Sequence, residues 1–481
     1  MSSLKHQTVG ALLWNLFDRI GQQLLLSVVV IIIANKLSVE DYTLVGMLAI
    51  FTAISSVLLD SGFNAALIRK NHATDDDFSS VFWFNVGMGI TLYLLLQLCA
   101  PFIAGFFGKP ELVNICAIIF LAIPINSLVS IQYTIFNKQV KFNILARVNM
   151  IALSVAGVAQ LIMAFSGCGV WTLAFQPVIL ASVKALLLWV QSSWRPKFRF
   201  STSAIRELWA FASRLLAASL INTTFMNIYS VVIGKVYFDG KQLGYYTQGN
   251  KMCDMGVSML YSSIQAATYP IFSSIQEEEE RLLRAFRKTI RFTSFLALPA
   301  MAGLIVVARP LIELLLKEDW WPAIPFFQLL CLGGCFTILT AINNNFIKVK
   351  GRSDSILHIE YFRVAITVIA LLLTYKHSVL TMVAGLVVTR LFIFIIHSVY
   401  TSRHTGYTVG MQLSDILPYL LLTLVMSIAT YSLSFIISNN LLLLITQVAT
   451  GGIIYLIMAY ISGSKILQES LELLLSKRKS K

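Results

Sequence analysis

Charged side chains lie inside long apolar segments of this sequence, where they could bind an ion or a charged substrate. In LLWNLFDRIGQQLLLSVVVIIIA, residues 12–34, the acid Asp18 and the base Arg19 are adjacent, and Gln22 and Gln23 follow them. A charge near the middle of a membrane helix costs roughly 3 kcal/mol on insertion scales. The pair therefore either neutralises itself as a structural ion pair or faces a polar cavity.

Basic residues outnumber acidic residues within or at the edges of the apolar segments. The bases are Arg19, Arg147, Lys184, Arg214, Lys235, Lys251, Arg309, Arg363 and Arg390, and the acids are Asp18, Asp60, Asp254, Glu313, Glu360 and Asp415. For single residues, such as Lys251 and Asp254 on one helix face, structural pairing or extension to the membrane interface stays open. For the whole set, the surplus of bases favours a cavity that binds an anion. Arginine suits phosphate because its planar guanidinium can contact two oxygens at once.

Long apolar helices are the elements that must position these charges. The chain has 481 residues, of which 57% are hydrophobic and 12% are charged, whereas a soluble protein has about 25% charged residues. About 20 apolar residues cross a ~30 Å hydrocarbon core. We predict an all-α polytopic membrane protein with about 14 transmembrane helices. The predicted segments are 10–35, 42–68, 78–107, 112–136, 143–166, 169–194, 205–238, 243–275, 288–316, 322–347, 354–375, 378–401, 414–437 and 440–462.

The distribution of Lys and Arg between the connecting segments predicts the topology. Connections on one side of the membrane carry most of these residues, with clusters at 195–206 and 281–291, and those on the other side carry few. Because cytoplasmic connections collect Lys and Arg, we predict that both termini are cytoplasmic. This topology accounts for the net charge of +14 without nucleic acid as a partner.

A weak internal repeat predicts how the helices are grouped. VIIIANKLSVEDYTLVGM, residues 30–47, is similar to VVIGKVYFDGKQLGYYTQGNKM, residues 231–252. Repeated halves with a substrate site near the membrane midplane are a common plan of transporters. We predict an N-terminal six-helix bundle at 1–200, a C-terminal six-helix bundle at 201–405, and two additional helices with a basic cytoplasmic tail at 406–481.

Motifs of catalysis and metal binding are missing from the sequence. It contains no phosphate-binding glycine loop of the Walker type, no His-Glu-x-x-His, no Cys-x-x-Cys and no nucleophile elbow. We therefore expect no enzyme, no catalytic residue, no metal site and no cofactor. Cys331 and Cys335 lie one helical turn apart and are interpreted as packing residues. The stretch QEEEERLLRAFRK, residues 276–288, predicts a surface-lying helix.

Several stretches in this order and spacing resemble a known family. They are KLSVEDYTLVGM (36–47), LLDSGFNAALIRK (58–70), SSVFWFNVGMG (79–89), FFGKPEL (106–112), GCGVWTLAFQ (167–176), SSWRPKFRFS (192–201) and LGYYTQGNKM (243–252). The chain resembles the Wzx-type lipopolysaccharide and exopolysaccharide flippases, in particular their colanic-acid-like branch. This is the polysaccharide-transporter branch of the multidrug/oligosaccharidyl-lipid/polysaccharide exporter superfamily. The family often has Pro and Gly where Val39 and Thr43 stand here.

The resemblance implies two six-helix bundles around a V-shaped central cavity, lined largely by segments one, two, seven and eight. It implies a multi-pass protein of the bacterial inner membrane that moves an undecaprenyl-diphosphate-linked oligosaccharide to the periplasmic leaflet by alternating access. We expect Arg19, Arg214 and Lys251, with Arg147 and Lys184, to bind the diphosphate. Asp18, Asp60 and Asp254 would tune these bases or exchange with a coupling ion, and Gln22, Gln23 and Asn64 would contact the glycan.

Two alternative functions remain at this point. A cation-coupled drug or small-molecule exporter of the same superfamily would favour an acidic cavity, and a membrane glycan polymerase or ligase would need a large periplasmic loop. The expected partners are the lipid-linked substrate, the bilayer and the polysaccharide polymerase or export machinery, and the expected state is a monomer. Coupling to a proton or sodium gradient is left open.

Overall fold

The structure, a computed structural model, is helical throughout the part of the chain that it describes. The described residues are 21, 27–60, 62–70, 73–237, 240–350, 353–464 and 466–469, with all side chains except those of residues 210, 211, 214, 266, 267, 269, 270, 353, 354, 357 and 404. The chain divides into two compact units, unit 1 at Met1–Thr247 and unit 2 at Gln248–Lys481.

Unit 1 contains ten helices in its described part, and an eleventh begins near its end. They are α1 (Ser27–Lys36), α2 (Val39–Asp60), α3 (Phe63–Arg69), α4 (Asp75–Phe107), α5 (Leu112–Ile119), α6 (Ala122–Ser127), α7 (Ser130–Lys138), α8 (Phe142–Phe165), α9 (Trp171–Gln191), α10 (Thr202–Val236) and the start of α11 (Gln242–Ser274). Helix α4 begins with a capping box, in which Thr74 and Asp77 each bond the other's backbone N–H. This satisfies two of the N–H groups that a helix start leaves free.

Unit 2 continues with the rest of α11 and seven further α-helices among its described residues. They are α12 (Glu279–Val306), α13 (Ala308–Leu315), α14 (Ile324–Val349), α15 (Ser353–Thr374), α16 (Val379–Thr405), α17 (Val409–Ser432) and α18 (Asn440–Ile461). Short 3₁₀ turns at Glu318–Ala323 and Leu433–Phe435 precede α14 and follow α17.

Ten helices of the described chain are long and apolar enough to cross a membrane, and the bent pair Leu112–Ser127 and Ser130–Lys138 would make eleven. Many of their apolar side chains are exposed, among them Phe102, Val190 and Ile461. In water such surfaces would be unfavourable, whereas lipid solvates them. The prediction of an all-α polytopic membrane protein is confirmed, and the count of fourteen helices stays a prediction.

The structure corrects three helix boundaries. The segment predicted at 42–68 is two helices, because Gly62 has a positive φ of 72° between α2 and α3. The segment predicted at 112–136 is divided into α5, α6 and α7. The surface-lying helix predicted at 276–288 is wrong as a separate element, because α12 runs without a break from Glu279 to Val306.

A core of aromatic and aliphatic side chains holds α3 against its neighbours in unit 1. Phe63 and Leu67 of α3, Phe82 of α4 and Leu208 of α10 are buried together. Phe63 contacts Phe84 edge-on with ring centroids 5.0 Å apart. Helix α10 also packs along α2, so the residues of α2, α3 and α10 are fixed relative to one another.

In unit 2, α14 packs between α12 and α16, and α17 packs against α12 and α18. Tyr455 of α18 donates a hydrogen bond to the Phe295 carbonyl oxygen of α12 at 2.8 Å. Asn440 donates to Glu313 of α13 at 3.0 Å. Helix α18 is therefore hydrogen-bonded to α12 and α13. The predicted bundle boundaries at residues 200 and 405 stay predictions.

Candidate functional site

The start of α11 lies against the start of α2 with almost no space between them. A Cβ atom at Gly244 would lie 2.5 Å from the Val39 carbonyl oxygen and 2.9 Å from the Thr43 Oγ1. A Cβ atom at Gly46 would lie 2.8 Å from the Thr247 Oγ1. Since real Cβ atoms do not approach so closely, glycine is required at both positions. Small residues allow membrane helices to pack backbone to backbone in this way.

Polar contacts also join the segments at the starts of α2 and α11. The Thr43 hydroxyl donates a hydrogen bond to the Gly240 carbonyl oxygen, and Thr43 is only 1% exposed. An exposed ion pair lies in the same region, where the Lys241 Nζ is 3.5 Å from the Glu40 Oε1. The connections α1–α2 and α10–α11 meet here, at the end of unit 1 that the charge distribution predicts to be periplasmic.

These contacts follow the internal repeat. Asp41-Tyr42-Thr43 in the first copy aligns with Tyr245-Tyr246-Thr247 in the second. Thr43 lies beside Gly244, and Thr247 lies beside Gly46. The aligned threonines of the two copies therefore each lie beside a glycine of the other copy.

Two of the predicted site residues in unit 1 lie together. The Asn64 Nδ2 of α3 donates a hydrogen bond to the Asp60 Oδ1 at the end of α2, with 2.8 Å between the atoms. The Asn64 Oδ1 is shielded from solvent and has no partner in the described chain. Nearby, a Cβ atom at Gly62 would lie 2.6 Å from the Ala212 carbonyl oxygen of α10. Asp60 and Asn64 therefore lie on a turn that packs directly against α10.

The other predicted residues of unit 1 are less closely grouped. Arg214 is on α10, two residues after Ala212, and its side chain lies outside the described part. Arg147 of α8 is exposed and Lys184 of α9 is partly buried, and each has an interaction partner. Asp18, Arg19, Gln22 and Gln23 lie outside the described residues.

In unit 2 the predicted acid Asp254 has partners on two helices. Asn250, one turn earlier on α11, donates a hydrogen bond from Nδ2 to the Asp254 Oδ2 at 2.9 Å. Arg390 of α16 lies close enough to act on Asp254 by its charge. The Arg390 side chain crosses Gly333 of α14, where a Cβ atom would lie 3.0 Å from the guanidinium Nη1. Lys251 is one turn from Asp254 on α11 and has an interaction partner of its own.

The structure also brings together buried polar residues that the sequence did not assign to a site. Arg363 forms an ion pair with Glu360 three residues before it on α15. The buried His397 of α16 is near the charges of Arg363 and Lys348. The spacing of Glu360 and Arg363 inside an apolar segment was a usable signal, of the same kind as Lys251 and Asp254. The sequence contains no comparable signal for His397, because an isolated histidine in an apolar segment is most often a packing residue.

No group of three or more His, Cys, Asp or Glu side chains within the described ranges could hold a metal ion. Arginine and asparagine can donate several hydrogen bonds to phosphate or sugar oxygens.

A family comparison decides where the chain belongs. Residues 32–325 match the family described as "Polysaccharide biosynthesis protein". The chain is a member of this family. The family match includes the α2–α11 contact, the Asp60–Asn64 turn, and Asn250 and Asp254.

Known bacterial proteins align with most of the chain. The teichuronic acid biosynthesis protein TuaB of Bacillus subtilis is 26% identical over 359 residues, which is 74% of each chain. The succinoglycan biosynthesis transport protein ExoT of Rhizobium meliloti is 24% identical over 471 residues, covering 96% of this chain and 94% of ExoT. The lipopolysaccharide biosynthesis protein WzxC of Escherichia coli is 24% identical over 73% of this chain and 72% of WzxC.

Solved structures share the fold of this polysaccharide biosynthesis protein. The lipid II flippase MurJ, in an inward closed conformation, superposes with a TM-score of 0.76 at 16% identity, over 94% of this chain and 98% of MurJ. An inward-facing multidrug resistance MATE family transporter gives a TM-score of 0.65 at 16% identity, over 80% of this chain and 94% of the transporter. At these identities the likeness concerns the fold, and it agrees with the predicted family of multi-pass membrane transporters.

Proposed function

We propose that this chain is a flippase that moves a lipid-linked oligosaccharide from the cytoplasmic to the periplasmic leaflet of the bacterial inner membrane. Membership of the polysaccharide biosynthesis family is the observation that carries the proposal. The fold shared with a lipid II flippase and the transport role in the name of ExoT support it. The lipid carrier is undecaprenyl diphosphate, and its charge matches the surplus of interior bases.

The diphosphate binds to Arg19, Arg214 and Lys251, with Arg147 and Lys184 as further cationic contacts. Asp18, Asp60 and Asp254 lower the positive potential of the site or exchange with a coupling ion. Gln22, Gln23 and Asn64 bind glycan hydroxyls, and the unpartnered Asn64 Oδ1 supports this role for Asn64. An acceptor that is buried without a partner costs about 1–3 kcal/mol, and a sugar hydroxyl would satisfy it.

Transport proceeds by alternating access, with both termini in the cytoplasm. The close contact between α2 and the start of α11 then acts as the periplasmic gate, which must separate before the glycan can leave. An anionic headgroup that moves outward across an inside-negative membrane gains about 2.3 kcal/mol per charge per 100 mV. The membrane potential therefore favours export, whether or not an ion gradient also contributes. The flipped product passes to a polysaccharide polymerase or export machinery, and the transporter works as a monomer.

Complementation tests the proposed site. In a strain that lacks the native gene, Arg19→Glu or Arg214→Glu is expected to abolish surface polysaccharide export, because each variant places a carboxylate where the diphosphate binds. Lys376→Glu makes the same change of charge on the exposed α15–α16 connection and is the matched control. Export at the normal level with both site variants would contradict the assignment.

Purified protein in lipid vesicles tests the substrate class. We expect movement of a fluorescent undecaprenyl-diphosphate oligosaccharide between leaflets and no uptake of cationic dyes. The opposite result would identify the chain as a drug exporter, the function suggested by likeness to the MATE fold alone. Reversal of the imposed membrane potential should slow outward movement of the lipid-linked glycan.

A further inference from the structure

The basic end of unit 1 contains a cavity of about 380 Å³, and none of the predicted substrate residues lines it. It is formed where the start of α4, the end of α7 and the chain that follows α9 meet. Phe78, Phe136 and Trp194 line it together with Lys138 and Lys141. Its wall therefore combines aromatic surface with two ammonium groups.

The two lysines differ in their contacts, because Lys138 has hydrogen-bond partners and Lys141 has none in the described chain. The Lys138 Nζ donates hydrogen bonds to the backbone carbonyl oxygens of Leu67 and Lys70, at 2.7 and 2.5 Å. These carbonyl oxygens engage two of its three N–H donors without neutralising its charge. Lys141 is exposed, and its ammonium group has no hydrogen-bond or ion-pair partner in the described chain.

The nearby acids are engaged with other bases. The Asp75 Oδ2, at the rim of the cavity, lies 3.1 Å from the Lys197 Nζ. The Asp77 Oδ2 lies 3.1 Å from the Lys70 Nζ, which also lies 3.0 Å from the Glu207 Oε2. The cavity therefore has an excess of positive charge that these carboxylates do not cancel.

The backbone at the cavity is strained. Val140, between the two lysines, has a φ of +58°, the only positive φ of a non-glycine residue in the described chain. The left-handed conformation costs an L-residue roughly 1–2 kcal/mol, and a β-branched residue there is a genuine outlier. Such strain persists where the surroundings enforce it, often at ligand sites. Here it turns the chain sharply from α7 into α8 and so sets the position of Lys141.

Trp194 lines the cavity and carries a hydrogen-bond donor without a partner among the described residues. Its indole nitrogen is shielded from solvent and has no acceptor among the described residues. Trp189 and Trp194 both lie near the end of α9, a level at which tryptophan marks the membrane–water interface. A ligand for this cavity should carry an anionic oxygen for the donors and apolar atoms for Phe78 and Phe136.

We infer that this cavity binds the phosphate group of a membrane lipid, with Lys141, Lys138 and Trp194 as donors. Basic pockets between membrane helices on the cytoplasmic side are suited to anionic headgroups. The phosphate could belong to an anionic phospholipid or to a phosphorylated polyprenol, and the two share the recognised chemistry.

Native mass spectrometry of the full-length protein in detergent micelles tests this site. Phosphatidylglycerol, undecaprenyl phosphate and phosphatidylcholine are titrated separately, and the apparent Kd of the first bound lipid is measured. Lys141→Gln should weaken binding of the anionic lipids about fivefold, and Lys141→Arg should retain it. Lys109→Gln, on the α4–α5 connection, removes an equal charge away from the cavity and should have no effect.

Trp194→Phe keeps the aromatic surface and removes only the indole N–H, so it should weaken binding without altering the melting temperature. The tighter of the two anionic lipids identifies the source of the phosphate. Equal affinity for phosphatidylcholine, or equal effects of Lys141→Gln and Lys109→Gln, would overturn the inference. Lys141 is exposed, so its variants should fold, and their melting temperatures verify this.

Discussion

Gly244 lies so close to Val39 that a Cβ atom on the glycine would be 2.5 Å from the valine carbonyl oxygen. The two residues belong to corresponding helix starts of the two repeat copies, α11 and α2. A contact this close leaves no space between the two helix starts while it is formed. It is therefore suited to a gate that opens during each transport cycle.

Enlarging Gly244 should prevent the closed contact. Gly244→Ala is expected to destabilise the protein by about 1–3 kcal/mol, the usual cost of overpacking, and to reduce export. Thermal unfolding of the purified protein and complementation measure the two effects. Gly87→Ala on α4 is the matched control, because a Cβ atom there meets nothing within 4 Å. That control should stabilise α4 by about 0.5–1 kcal/mol, and a similar gain for Gly244→Ala would contradict the close contact.

Linking the two helix starts should stop transport reversibly. Glu40 and Lys241 form an exposed ion pair across the contact, so cysteines at these positions disturb no core. In a background without the native cysteines, Glu40→Cys with Lys241→Cys is treated with a short, reducible thiol cross-linker. Flipping in vesicles should cease and should return after reduction. Either single variant, treated in the same way, should stay active; full activity of the cross-linked double variant would exclude this contact as the gate.

The sequence predicted what depends on local composition, and it missed what depends on packing. Apolar length and the position of Lys and Arg indicated the membrane helices, and sequence spacing indicated that Lys251 and Asp254 share a face of α11. The approach of Arg390 to Asp254 could not be predicted, because it joins helices more than 130 residues apart in sequence. That approach depends on Gly333, whose missing side chain leaves room for the guanidinium.

The α10 helix shows a second limit. The repeat assigns α10 to the second bundle, yet the close packing of α10 on α2 and α3 includes it in unit 1. Sequence similarity groups a helix with the repeat copy that it resembles, whereas contacts group it with the helices that it packs against. The two criteria differ for α10, so the boundary at residue 200 remains a prediction about the repeat.

Lys70 should make stability depend on pH only under alkaline conditions. Its hydrogen bond to Glu207 raises the pKa of Lys70 above the ordinary value of 10.5, with a further contribution from Asp77 and an opposing one from burial. Its contribution is therefore complete below pH 10.5 and is lost as the pH rises through the higher folded value. Because Glu207 is well exposed, the effect is below about 1 kcal/mol.

The measurement compares melting temperatures of the wild type and Glu207→Gln at pH 8 and at pH 11.5. We expect a small difference at pH 8 that disappears at pH 11.5. Glu278 pairs on the surface with an arginine, Arg281, instead of a lysine, and arginine side chains are not deprotonated in proteins, so Glu278→Gln should give the same small difference at both pH values. If the difference in melting temperature between the wild type and Glu207→Gln instead grew at pH 11.5, the Lys70–Glu207 hydrogen bond would not be the cause of the raised pKa of Lys70.

Asp415 should be the most sensitive acid in the attachment of the last two helices. Its side chain is only 6% exposed and binds Arg287 and Arg291 of α12, with shortest distances of 3.0 and 2.5 Å. The Tyr407 hydroxyl is a third partner and donates a hydrogen bond to Asp415 at 2.6 Å. Asp415→Asn keeps the shape and removes the charge, so two arginines lose their counter-ion. Because both arginines are partly exposed, we expect a loss of about 1–3 kcal/mol.

Thermal unfolding and limited proteolysis between α16 and α17 distinguish this cluster from ordinary surface pairs. Glu280→Gln removes one partner of the exposed Glu280–Arg284 pair on α12, the helix that also carries Arg287 and Arg291. This change should cost less than about 0.5 kcal/mol. Tyr407→Phe should have an intermediate effect, since it removes one hydrogen bond and leaves the ion pairs. Equal melting temperatures for Asp415→Asn and Glu280→Gln would mean that α17 is held by its apolar packing on α12 alone. If the cluster anchors α17, proteolysis at residues 406–408 should accelerate in Asp415→Asn and remain unchanged in Glu280→Gln.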